Sequence, residues 1–181
     1  MWAKQKQLGF TIVELLIVIV IIAILAATTV VAFNGIQTRA KNVSQSGAAA
    51  QYIKMLRLYK IQNGEWPTES GCLGENNTDT NGNGVKDCGE DGSTEVNPTL
   101  LTKLRTVGTL PNVITDQIQG TSGIKSAGIR YWGVLVDGRA LITWYVKGSS
   151  SDCKPPSGNT DEFVPGNDGQ RVWCQLYMRN E

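Results

Sequence analysis

The sequence predicts an α+β protein, with one long N-terminal helix packed on an antiparallel sheet of three or more strands. Three observations carry this. Residues 10–33, FTIVELLIVIVIIAILAATTVVAF, form an apolar run of 24 residues broken only by threonines and Glu14. From Gly35 to Asn63 there is no proline, and apolar residues recur at spacings of three and four. Further on, the β-rich runs Ile129 to Val136 and Arg139 to Val146 flank Asp137-Gly138, a strong short hairpin signal.

Composition narrows the chemistry. The 181 residues hold 17 Lys+Arg against 16 Asp+Glu, so the net charge of +1 creates no whole-molecule field for nucleic acid. Histidine is absent. That excludes Ser-His-Asp and Cys-His nucleophiles, an imidazole base and any zinc site using histidine.

The chain opens with MWAKQKQLG, residues 1–9, which carries Lys4 and Lys6 and no acid. A basic leader ahead of an apolar run long enough to span a bilayer places the N-terminus in the cytoplasm and the rest outside. A conventional secretory signal, cut near Val30 to Ala32, is the competing expectation. The run exceeds the roughly 7 to 15 residues of such an apolar region, and Glu14 inside it costs roughly 2.5 to 3.5 kcal/mol on insertion scales.

Gly9-Phe10-Thr11-Ile12-Val13-Glu14-Leu15-Leu16, following a short basic leader, resembles the class III signal of type IV pilins and type II secretion pseudopilins. The resemblance implies the type IV pilin fold. It also implies cleavage by prepilin peptidase between Gly9 and Phe10 and methylation of the new N-terminus. Glu14 would then pair with a neighbouring subunit's terminal amine during assembly, at the inner-membrane assembly platform and together with minor pilins. Physical chemistry agrees, because the macrodipole favours a carboxylate in a first helical turn and a buried charge requires a partner.

Residues 10–34 are thus expected to be a transmembrane and filament-core helix, and 35–64 its amphipathic continuation. Ile36, Ala40, Val43, Gly47, Ala50, Ile53 or Lys54, and Leu56 supply the predicted apolar stripe, and Arg39, Lys41, Lys54, Arg57 and Lys60 the polar side. Asn63-Gly64 ends the helix and Pro67 prevents its resumption. At about 1.5 Å per residue, Phe10 to Asn63 makes roughly 80 Å of helix. The closing segment Leu58 to Thr68, LYKIQNGEWPT, again resembles pilins. Val31 departs from the family, which often has proline there, so melting in a filament is expected between Thr28 and Gly35, where β-branched residues and Asn34-Gly35 lower helix propensity.

Residues 65–181 form the predicted head. Glu65 to Glu95 is an acidic, Asn- and Gly-rich loop, within which residues 79–90 fit the twelve-residue calcium pattern D-x-[DN]-x-[DN]-G-x5-E. Asp79, Asn81 and Asn83 would give side-chain oxygens, Val85 a carbonyl, Asp87 a water-mediated contact and Glu90 a bidentate pair, around the turn at Gly84. No amphipathic helices bracket the loop. Three carboxylates predict a dissociation constant of roughly 10⁻⁴ to 10⁻³ M.

Cys72, Cys88, Cys153 and Cys174 permit three pairings in an oxidising compartment. Cys72 with Cys88 would staple the calcium-like loop; Cys153 with Cys174 would close the C-terminal segment, as the pilin resemblance implies. A four-cysteine zinc site is the alternative, and it lacks CxxC spacing. Arg171 to Met178 gives a third strand, Thr99 to Val107 a short helix, and Gly148 to Asp152 and Gly158 to Gln170 loops. Trp132, Trp144 and Trp173 fall on strands and are assigned to the core.

These elements point first to a non-enzymatic pilin, a membrane protein that polymerises into a surface pilus for adhesion, twitching motility or DNA uptake. A secretion pseudopilin is the alternative. A membrane-anchored calcium-binding module or enzyme is a remote third, since no carboxylate pair is selected by spacing.

Overall fold

In the computed structural model, residues 9–77, 79, 84, 86–88, 95–114, 116–121, 123, 125–158 and 160–180 are described. They fall into two compact units, 1–39 and 40–181. Helix α1, Ile12–Asn63, contributes to both.

The first unit shows how local chemistry starts a helix. The Thr11 hydroxyl accepts the Glu14 amide at 3.2 Å, while the Thr11 amide and hydroxyl donate to the Glu14 carboxylate at 2.9 and 2.7 Å. This reciprocal capping box satisfies donors that a helix start otherwise leaves open. Beyond it the helix is apolar all round, and its side chains from Ile12 to Leu25 are exposed. The helix is continuous over Thr28–Gly35 in this monomer, and Thr28 and Thr29 turn their hydroxyls back onto the carbonyls of Leu25 and Ala26 at 3.0 and 2.9 Å.

In the second unit α1 buries Gln45, Ala48, Ala49, Tyr52, Ile53, Met55 and Leu56. This corrects the predicted stripe, because Ile36, Ala40, Val43 and Gly47 are exposed and Ala50 is only half-buried. The true face carries two polar residues whose hydrogen bonds permit burial. Gln45 donates to the Gly128 carbonyl and accepts the Ile114 amide at 2.8 Å, and the Tyr52 hydroxyl donates to the Pro111 carbonyl at 2.9 Å. Gly64, at φ 82°, stops the helix, its amide bonding the Lys60 carbonyl at 2.7 Å.

Against this face lies a five-stranded antiparallel sheet of β1 (Gly71–Leu73), β4 (Ile129–Val134), β5 (Ala140–Val146), β6 (Glu162–Asn167) and β7 (Val172–Met178), in the order β1-β4-β5-β7-β6. The short β2 (Ile118–Gln119) and β3 (Lys125–Ser126) pair separately. The β4–β5 hairpin turns at Asp137-Gly138, with Gly138 at φ 80°. Helix α2, Pro98–Arg105, starts on proline and is capped by Asn97. Ile129, Tyr131, Ile142, Trp144, Leu176 and Met178 from the sheet meet Leu100 and Leu104 of α2 and the buried face of α1 in one core.

Three further expectations are corrected. The segment Gly158 to Gln170 is not all loop, since β6 pairs with β7 along its length despite Pro165. An edge strand tolerates proline because its outward side needs no ladder bond. Within the acidic loop, β1 forms because Cys72 and its neighbours pair with β4. Finally, of the three tryptophans on strands, only Trp144 is in the core. Alternation along β4 and β7 puts Trp132 and Trp173 on the other face of the sheet, where both are half-buried.

Candidate functional site

The first candidate site is the N-terminal segment. Gly9 and Phe10 lie in exposed, non-helical chain, ahead of the first helical residue, Ile12. The peptide bond between them is therefore outside the intrahelical ladder and open to a peptidase without unwinding. Glu14 stands one turn further on, exposed, with its carboxylate engaged by Thr11. Cutting after Gly9 would create an amine at Phe10, close in sequence to a carboxylate that is already aligned by the cap. After it an 18-residue window reaches a mean hydropathy of 3.1 with none of it buried, and this helix is long and apolar enough to cross a membrane.

The second is the head's loop. Of the calcium-pattern residues, Asn81, Asn83, Val85 and Glu90 lie outside the described residues. Asp79 is half-buried and accepts the Gly84 amide at 2.6 Å, so the first and sixth positions of the pattern close one turn. Asp87 is fully buried and forms an antiparallel bridge with Glu95. Among the described residues no group of three or more Cys, Asp or Glu side chains is placed to hold a metal.

Cys72 is bonded to Cys88 and Cys153 to Cys174, and all four residues are buried. The first bond ties the loop to edge strand β1; the second ties the end of the Ser150–Asp152 turn to β7.

The electrostatics of the head are those of surface pairs. Hydrogen bonds from Lys103 hold the Glu69 carboxyl below its ordinary range and in return raise the Lys103 ammonium. Backbone amides of Arg171 and Gln170, with the Arg171 charge, hold Asp168 down, and the Arg139 amide and guanidinium do the same for Asp137. Burial pushes the phenols of Tyr52 and Tyr131 up.

Sequence reasoning missed the polar fastening of α1 to the head. Asn42 donates to the Lys147 carbonyl at 2.7 Å and accepts the Lys147 amide at 3.0 Å, and Lys41 pairs with Asp116. Their signal was the set of polar residues, Asn42 and Gln45, on a helix read for apolar periodicity alone.

Comparison with known proteins finds the family described as the prokaryotic N-terminal methylation motif, matching residues 4–30. No curated protein and no solved structure matches the chain. The matched stretch contains the leader lysines, Gly9, Phe10 and Glu14 together with most of the apolar run. Joined to a long helix on an antiparallel sheet, this motif marks the chain as a precursor of the type IV pilin and pseudopilin kind, with a class III signal peptide at its N-terminus.

Proposed function

We propose that this chain is a structural subunit of a type IV pilus. Prepilin peptidase cuts between Gly9 and Phe10, the processed chain is held in the inner membrane by α1, and assembly moves that helix into a filament core. Glu14 meets the Phe10 amine of a neighbour there and sets the register. The observation that carries this reading is the helix segment from Leu15 to Leu25, apolar on every side and exposed. Such a surface requires either lipid or other apolar helices around it, and a pilin uses both in succession.

The deciding experiment is the intact mass of the protein in filaments sheared from cells, compared with the membrane fraction. Sheared material beginning at methylated Phe10 is the expected result. A Phe10 form confined to membranes would instead favour the secretion pseudopilin.

We further propose that residues 79–90 bind calcium, with Asp79, Asn81, Asn83, Val85, Asp87 and Glu90 as ligands. The turn closed between Asp79 and Gly84 supports this reading. Binding at millimolar calcium would raise the thermal midpoint of the protein and a chelator would reverse the rise. An unchanged midpoint would dispose of the ion.

A further inference from the structure

We infer that the head is electrostatically polarised across α1, and that the basic groove on one flank of a copy receives the acidic flank of the next copy. The inference rests on the filament reading above, which brings copies side by side.

The basic flank is a groove. Two hollows of about 500 and 460 Å³ are both lined by Arg57. The helical wall presents Lys54, Arg57 and Ile61 at i, i+3 and i+7, with Lys60 beside them. The other wall is Asp161 and Arg179, at the ends of β6 and β7. Arg57, Lys60 and Arg179 therefore line the first hollow against one carboxylate, and Lys54 joins Arg57 in the second, which no carboxylate among the described residues lines. That carboxylate is engaged within the chain, since Asp161 accepts both the Arg57 guanidinium and the Arg179 amide.

The acidic flank lies on the opposite side of the same helix. Met55 packs under Gly108, Lys103 sits 6.0 Å over the Tyr59 ring, and Tyr52 bonds Pro111, so α2 and the chain after it follow the Tyr52–Met55–Tyr59 side. The sheet order agrees, because β1 and the Cys72–Cys88 loop are at one edge and β6 is at the other. Glu69 and Glu75 on this flank pair with Lys103 and Arg105 of α2; exposed Glu65 follows Gly64 at the foot of the helix and acts on the Lys103 ammonium, and exposed Glu95 is held beside β1 by the bond from the Cys72 amide to its carbonyl. The sequence segregates charge in the same way. Residues 65–95 hold eight acids and one lysine, whereas 35–63 hold five bases and no acid.

A second copy is the occupant that this polarity fits. The chain is close to neutral overall, so copies do not repel each other at long range, while basic-on-basic and acidic-on-acidic contacts are penalised. Pairing two unlike flanks is a heterologous contact, which leaves one groove and one acidic flank open at the ends and so propagates instead of closing.

The test uses the full chain in cells. One variant reverses the groove (Lys54→Glu with Lys60→Glu), a second reverses the acidic flank (Glu65→Lys with Glu95→Lys), and a third combines both. Each single reversal is expected to lower the sheared-filament yield about tenfold, and the combination to restore it to within about twofold. Unchanged yields, or a combination no better than either reversal alone, would overturn the inference. A parallel arm co-expresses Lys54→Cys and Glu95→Cys chains and reads disulfide-linked dimers in sheared and membrane fractions, so it does not depend on filament yield. Mixed dimers are expected, and Lys54→Cys self-dimers are not. Mixed dimers without filaments would uphold flank pairing and sink the pilus reading. Filaments without mixed dimers, a predominance of self-dimers, or no dimers in either fraction would sink flank pairing.

Discussion

The indole of Trp173 lies across Gly166, its register partner on the edge strand β6, so closely that a Cβ built on Gly166 would stand 2.3 Å from the ring. The glycine is required by this contact, and the ring covers backbone that an edge glycine leaves bare. Gly166→Ala is expected to cost about 1–3 kcal/mol through overpacking. For a head of this size that lowers the thermal midpoint by roughly 3–10 °C. Trp173→Leu added to Gly166→Ala should cost less than the sum of the two single changes, which a double-mutant cycle measures.

Removing either disulfide should weaken the head. Cys72–Cys88 and Cys153–Cys174 close loops of 16 and 21 residues in sequence separation, each contributing about 3 kcal/mol in the chain-entropy account. Paired Cys→Ala replacements should therefore lower the urea midpoint separately and roughly additively. Since all four cysteines are buried, a reductant should leave both bonds intact in native buffer and cleave them once urea opens the fold.

Asn97 holds α2 in place from both directions. Its Oδ1 accepts the amides of Thr99 and Leu100 at 3.1 and 3.2 Å, and its Nδ2 donates to the Ser70 carbonyl beside β1 at 3.0 Å. Asn97→Ala should cost about 1 kcal/mol or somewhat more, and Asn97→Ser, which keeps a capping oxygen, should recover part of it. Hydrogen exchange of the Thr99 and Leu100 amides would localise the effect.

The Glu69–Lys103 pair predicts an acid limb. Glu69 is held below its ordinary 4.5 in the fold, so its contribution is complete above that value and is lost as pH falls through the lower folded value. Lys103 is raised above 10.5, so its contribution is complete below that value and is lost as pH rises through the higher folded one. Glu69→Gln should lower the neutral plateau of the urea midpoint slightly, as expected for a surface pair, and flatten its decline below about pH 4.5, so that the variant and the parent converge in acid.

The sequence made some of this architecture readable and hid the rest for physical reasons. The leader, Phe10 and Glu14 form a compact local motif, and the Asp137-Gly138 hairpin and the Gly64 stop follow from backbone rules that need no tertiary partner. Strand β6, with Pro165 and Gly166, has weak strand propensity of its own and exists because β7 and the Trp173 ring hold it. Strand β1 is three residues inside an acidic loop and depends on β4 and a disulfide. The buried face of α1 was misplaced because Gln45 and Tyr52 are polar, and their burial depends on carbonyls and amides 59 to 83 residues away. The same limit applies to the calcium-like loop, in which Asp79 and Asp87 differ in burial although one spacing rule selected both.

The fastening at the start of the head-bound part of α1 has a mechanical consequence. Lys41, Asn42 and Gln45 lie within five residues and grip three separate segments, at Asp116 and Ile114, at Gly128 and at Lys147. Tension entering the head along this helix loads those bonds side by side, so they share the force and must rupture together. A joint of that kind resists shear far better than bonds opened one after another, and it shields the strands behind it from the first strain.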